Sequence, residues 1–75
     1  MRIRLKLMGV LKDKMPASGD LELSDGATVE EALAALAIAS ESVQVFTVNG
    51  DLERNRQRQL CDGDELSVIP PVGGG

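Results

Sequence analysis

At 75 residues the chain is long enough for one domain with a small core, and it contains a single cysteine and no histidine. A lone Cys61 excludes a disulfide framework, and the missing histidines remove the commonest general base and metal ligand. The net formal charge of −4 repels phosphate backbones, and with Phe46 as the sole aromatic there is no stacking platform, so nucleic acid is not an expected partner. No apolar run approaches membrane-spanning length and the opening residues lack a signal-peptide core, so a cytoplasmic protein with no membrane partner is expected, which also suits a free thiol.

The opening RIRLKLM alternates strictly, with Ile3, Leu5 and Leu7 on one face and Arg2, Arg4 and Lys6 on the other. A period of two predicts a half-buried strand. Residues 9–19, GVLKDKMPASG, carry turn formers and read as a loop or wide hairpin connection, with Val10 and Met15 tucked beneath it. Leu21 to Leu23 form a short second strand, paired antiparallel with the first. Ser24-Asp25-Gly26 is a turn. Thr28 is a natural helix N-cap, and Glu31 three residues later completes a capping box. Glu30 and Glu31 suit the positive end of the helix dipole. Val29, Ala32, Leu33 and Leu36 make an apolar stripe, and the pattern predicts a helix running to about Ala39. Its alanines allow a close approach to a sheet.

Val43 to Val48 read as a strand rich in β-branched residues, followed by Asn49-Gly50, a two-residue hairpin signal. The next stretch, DLERNRQRQL, is polar. It predicts a short edge strand around Leu52 and then an exposed loop bearing Arg54, Arg56 and Arg58. Asp62-Gly63-Asp64 is another turn. The last strand, ELSVI, puts Leu66 and Val68 toward the core and ends at Pro70 and Pro71, which cannot donate to a ladder. Two strands, one helix and three further strands, with the first and last side by side, predict an α+β β-grasp. Its mixed sheet would hold four to five strands with one main crossover helix, in a domain over residues 1–69. A ferredoxin-like fold would need a second helix, for which the arginine-rich segment is a poor candidate.

Residues 70–75, PPVGGG, form a flexible C-terminal tail in this reading. Pro70 and Pro71 each fix φ near −65° and favour an extended departure from the sheet. Beyond Val72 there are no side chains, so Gly73, Gly74 and Gly75 suit a channel too narrow for a Cβ. The only reactive group there is the α-carboxylate of Gly75. That arrangement points to chemistry performed on the terminus by another protein; an inert loose end is the competing interpretation.

The run DGDELSVIPPVGGG resembles the C-terminus of the MoaD/ThiS family of sulfur-carrier proteins, β-grasp relatives of ubiquitin. Asp62-Gly63-Asp64-Glu65-Leu66, Pro70-Pro71-Val72 and Gly74-Gly75 carry the likeness. LMGVLKD at residues 7–13, the segment LSDGATVEEALAAL and the VNG turn at residues 48–50 extend it over the chain in the family's order. The resemblance implies a ubiquitin-like fold and a mechanism. An E1-like adenylating enzyme would use ATP to convert the Gly75 carboxylate to an acyl-adenylate. A sulfur donor, usually a persulfide protein, would then leave a thiocarboxylate whose sulfur passes to an acceptor enzyme. No phosphate-binding loop occurs in this chain, so no cofactor is expected on it and ATP belongs to the partner. By itself the chain is not expected to be catalytic. The proline pair resembles the molybdopterin synthase small subunit, which would act with the synthase large subunit. The three contiguous glycines and VNG resemble the thiamin-pathway carrier.

Arg4, Lys6, Ser67 and Ile69 would share the sheet face away from the helix, a candidate partner surface with Ile69 and Val72 as apolar anchors. An ordinary open sheet face explains them equally well. Cys61 reads as a small, partly buried residue before a turn, with a sulfur-handling thiol as the alternative. The three arginines read as a solvated, charge-guarded edge, with a partner or phosphate contact as the alternative. Asp62 and Asp64 read as turn residues rather than cation ligands. Two other functions stay open: a ubiquitin-like modifier joined to lysines through Gly75, and a binding module with an inert tail.

Overall fold

In the computed structural model, which describes residues 1–71, five strands form one mixed sheet in the order β2-β1-β5-β3-β4. The strands are β1 (Arg2–Leu7), β2 (Asp20–Glu22), β3 (Val45–Val48), β4 (Asp51–Glu53) and β5 (Glu65–Ile69). A single α-helix, α1 (Val29–Ala35), joins the two halves, and two 3-10 helices occupy Gly9–Lys14 and Ser40–Ser42. β1 and β5 run parallel in the centre, as the element order predicted, and every other pairing is antiparallel. This is the ubiquitin-like β-grasp.

The alternation in β1 translates directly into burial. Ile3, Leu5 and Leu7 lie in the core, whereas Arg2, Arg4 and Lys6 are exposed. Leu66 and Val68 of β5, Phe46 and Val48 of β3, and Val29, Ala32, Leu33 and Leu36 from the helical region complete the same cluster. No charged or polar residue is buried among the described residues.

The capping box forms as expected. Thr28 Oγ1 accepts from the Glu31 N–H at 3.2 Å, and the Glu31 carboxylate accepts from the Thr28 N–H at 3.2 Å. The helix stops at Ala35 rather than near Ala39. Ala37 adopts φ 58°, its N–H donates to the Ala34 carbonyl at 3.0 Å, and the Ile38 N–H donates to the Leu33 carbonyl at 2.9 Å. These are the two bonds of a Schellman reversal, with alanine where glycine is usual. Ile38 and Leu33 are both buried, so the reversal also places an apolar residue in the core.

Two connections differ from the sequence reading. Residues 9–14 are a 3-10 helix rather than a plain loop, and Leu11 is its buried residue while Val10 is 79% exposed. Met15 packs against the core as expected. The segment after β4 is not simply a solvated loop. Carbonyls of Arg58 and Arg56 accept from the Val29 and Glu30 N–H groups at 3.0 and 2.9 Å, and the Leu60 N–H donates to the Ala27 carbonyl at 2.8 Å. Its backbone thus satisfies helix N-terminal donors that would otherwise lack partners, and Leu60 closes the core at 2% exposure.

Candidate functional site: the tail base and the open sheet face

β5 delivers the chain to its tail. Its last carbonyls are held from both sides: Val68 O accepts from the Met8 N–H at 3.1 Å and Ile69 O from the Gln44 N–H at 2.8 Å. Pro70 is buried and belongs to the body of the domain, and Pro71 is exposed. The sequence reading counted both prolines in the tail, and the burial of Pro70 puts that residue against the domain. Val72, Gly73, Gly74 and Gly75, the residues expected to insert and react, lie outside the described residues.

The sheet face opposite α1 brings together the four residues chosen for it. Lys6 pairs with Ser67 across the central parallel ladder, Arg4 pairs with Glu65, and Ile69 pairs with Val45. Each member of such a pair projects to the same face, so the register makes Arg4, Lys6, Ser67 and Ile69 one continuous surface. Lys6 Nζ lies 3.9 Å from a Glu65 carboxylate oxygen, a contact between half-exposed groups that orients the lysine more than it stabilises the fold. Thr47, opposite both Ser67 and Leu52, links this patch to the sheet edge, where Leu52 is 55% exposed. The sequence reading placed Leu52 on an edge strand but did not see that pairing of β3 with β5 would align it with Ser67. Met8, at the end of β1 beside the tail base, is 41% exposed. The face is cationic along β1, polar at Glu65, Ser67 and Thr47 in its middle, and apolar at Ile69 and at the Leu52 edge, within a protein whose net charge is negative.

The turn entering β5 is fixed by side chains. Asn49, at φ 55° in the β3–β4 hairpin, donates from Nδ2 to Asp64 at 2.9 Å and accepts at Oδ1 from the Glu65 N–H at 3.0 Å. Asp64 also accepts from the Cys61 N–H at 2.8 Å, and Asp62 accepts from the Arg2 N–H at 2.7 Å. The Asn49 amide first, then the Cys61 N–H, with a contribution from the Arg58 charge, hold the Asp64 carboxyl below its usual range. These bonds support the turn reading of both aspartates. Cys61 itself is exposed rather than partly buried, because Leu60 takes the inward position beside it.

The three arginines do not act as one series. Arg54 is exposed, the Arg56 guanidinium sits 5.9 Å from the Phe46 ring centroid, and Arg58 bonds Glu53 at 2.9 Å. Glu53 also accepts from the Asn55 and Arg54 N–H groups at 3.0 and 3.1 Å. The Asn55 N–H, then Arg58, keep its carboxyl below the ordinary range. Two of the three cations therefore serve the fold, with partners that the alternation of the arginines does not by itself identify.

Comparison with known proteins agrees with this geometry. Residues 5–75 match the ThiS family model. The chain is 38% identical over 61 residues to the molybdopterin synthase sulfur carrier subunit of Chlamydomonas reinhardtii, covering 72% of this chain and 74% of that protein. Among solved structures it is similar to SAMP1 from Haloferax volcanii, at 26% identity and a TM-score of 0.75 with both chains fully covered. It is also similar to a chain in the complex of subunits 1 and 2 of the molybdopterin-converting factor from Helicobacter pylori, at 25% identity and a TM-score of 0.65, again with full coverage of both. No helix among the described residues is long and apolar enough to cross a membrane. The β-grasp fold, the proline-glycine terminus and a match running across almost the whole sequence lead to one conclusion: the chain belongs to the ThiS family, within the MoaD/ThiS group of sulfur carriers.

Proposed function

We propose that the chain is the sulfur-carrying small subunit of a molybdopterin synthase and that its reacting group is the Gly75 carboxylate. A separate E1-like enzyme would bind ATP and join the carboxylate to AMP, releasing pyrophosphate. Attack of sulfide on the acyl carbon would expel AMP and leave a thiocarboxylate; attack of a persulfide's outer sulfur would expel AMP and give an acyl disulfide, from which a second thiol of the donor would release the thiocarboxylate by forming a disulfide with the donor sulfur. The carrier contributes position rather than acid-base chemistry: it contains no histidine, and its perturbed carboxyls at Glu53 and Asp64 are engaged in turns. Three terminal glycines leave the acyl carbon uncrowded and let the end pass through a narrow channel.

The observation that carries this reading is the junction at Pro70. A strand central to the sheet is held by hydrogen bonds up to Ile69 and is followed in the sequence by two prolines, a valine and three glycines without side chains. The open face around Arg4, Lys6, Ser67, Ile69 and Leu52 is the docking surface, which would present the tail to the adenylating enzyme and then to a large synthase subunit. The Helicobacter pylori relative, which is found with its subunit 2, supports such a pairing. The cations along β1 and the apolar Ile69 and Leu52 suit a partner surface with acidic groups facing β1 and apolar groups facing the tail base and the β4 edge.

Incubation with an E1-like enzyme, ATP and sulfide, followed by intact mass measurement, tests the proposal. Replacement of one oxygen by sulfur, absent when Gly75 is deleted, is the expected result. No exchange with any of several activating enzymes would overturn it. Lysine-linked conjugates formed through Gly75 in place of free thiocarboxylate would reassign the chain as a protein modifier. Sulfur delivery to a thiazole-forming enzyme, with none to a molybdopterin synthase large subunit, would reassign it to the thiamin pathway.

A further inference from the structure

Asn49 and Gly50 form the one asparagine–glycine pair of the chain, at the exposed tip of the β3–β4 hairpin. Such a pair loses its side-chain amide readily, because glycine has no Cβ to shield its backbone nitrogen from the preceding side chain. Nothing lies within 4 Å of a Cβ built on Gly50, so no neighbouring segment crowds that residue either. The Asn49 side chain, in contrast, is held at both polar atoms. Nδ2 donates to Asp64 Oδ1 at 2.9 Å, and Oδ1 accepts from the Glu65 N–H at 3.0 Å. The Asn49 backbone N–H donates to the Glu65 carbonyl at 2.8 Å, and Asp64 is itself fixed by the Cys61 N–H at 2.8 Å. Asn55, the other asparagine of the chain, precedes an arginine and bonds only locally, to the Gln57 N–H at 2.9 Å.

We propose that Asn49 is a latent deamidation site, kept closed by the clamp that Asp64 and the Glu65 N–H place on its side-chain amide. In the reaction the deprotonated Gly50 nitrogen attacks Asn49 Cγ. A carbon–nitrogen bond forms and closes a five-membered succinimide, while the bond to Nδ2 breaks and that nitrogen leaves as ammonia with a proton from water. Water then opens the ring at either carbonyl carbon, so the net change is amide plus water to carboxylate plus ammonium. Ring closure requires Cγ to swing to the Gly50 nitrogen. The clamp opposes this, because both polar atoms beside Cγ are pinned to residues 15 and 16 positions further along the chain. The product would not re-form the clamp: a carboxylate would replace the donor that now lies 2.9 Å from the Asp64 carboxylate, and like charges at that distance repel. Deamidation would therefore untie the hairpin from the entry of β5. The inference is independent of the reading of Gly75.

The test follows deamidation of the full-length chain at mildly alkaline pH. Trypsin releases residues 15–54 as one peptide in which Asn49 is the only asparagine, so the mass of that peptide and its isoaspartate content report this site alone. The folded native chain should react at least about tenfold more slowly than the same chain unfolded in urea, because the site must open before it reacts. Asp64→Ala removes the charged acceptor and should speed the reaction of the folded chain about tenfold, the scale of one hydrogen bond to a charged group. Asp64→Asn keeps an oxygen acceptor and should stay within about threefold of the native rate. Global destabilisation is separated by holding the native chain in the low urea concentration that matches its unfolding free energy to that of Asp64→Ala. Under that match the native chain should remain slow. A native rate for folded Asp64→Ala, or equal rates for Asp64→Ala and the matched native chain, would overturn the inference, as would a folded native chain that reacts as fast as the unfolded one.

Discussion

Replacing Ala37 with glycine should stabilise this protein, although the same change one helical turn earlier should destabilise it. Ala37 sits at φ 58°, immediately after the Leu36 C-cap, and its side chain is exposed. Holding an L-residue with a Cβ in the left-handed region costs about 1–2 kcal/mol. Glycine removes that strain but enlarges the freedom of the unfolded chain, which costs about 0.4–1 kcal/mol. No packing is lost, so the net gain is about 0.8 kcal/mol. For a domain of this size such a gain raises Tm by about 3–6 °C. Ala34, exposed inside α1, is the control: glycine there should cost about 0.5–1 kcal/mol. Thermal and urea unfolding followed by far-ultraviolet circular dichroism reads both, since the chain has no tryptophan. If Ala37→Gly destabilises as Ala34→Gly does, the helix does not end in a left-handed reversal at Ala37 and the account of its early termination is wrong.

Leu60→Ala should cost about 2–5 kcal/mol, because a fully buried leucine leaves a cavity, and in a domain this small that is a large share of total stability; a urea midpoint shifted by less than a surface substitution would contradict its role as a core plug. The carboxyls of Asp64 and Glu53 titrate below their ordinary values of 3.8 and 4.5 in the folded chain. Their stabilisation is complete above those ordinary values and is lost as pH falls through the lower folded ones, so the urea midpoint should drop below about pH 4.5 and Asp64→Asn should flatten that drop. Leu52→Ser should leave the unfolding midpoint within about 0.5 kcal/mol of the native chain yet weaken capture by the adenylating enzyme, as measured by calorimetric titration; unchanged affinity would remove Leu52 from the docking face.

Local chemistry alone determined a good deal of this protein. The alternation of residues 2–7 fixed which face of β1 is buried, Thr28 and Glu31 fixed the helix start, and Asn49-Gly50 fixed the β3–β4 turn. Each is a short-range rule, a side-chain period or a hydrogen bond spanning a few residues, so the sequence contains all the information it needs. The same holds for the tail, whose proline pair and glycines are legible without any fold. The tertiary structure decided what depends on distant partners. Pairing of β1 with β5 placed Lys6 against Ser67, and pairing of β5 with β3 brought Leu52 into the same patch through Thr47. The carbonyls of Arg56 and Arg58 cap a helix that starts far earlier in the chain, which turned an apparent solvated loop into part of the framework. Helix termination before Ala37 escaped notice because no glycine marks it; the reversal places Ile38 in the core that also holds Leu33. Pro70 read as the first residue of the tail, whereas its burial sets it against the domain. Register, capping by remote backbone and close approach between segments are properties of the assembled chain, because each needs two stretches of sequence that only folding brings into contact.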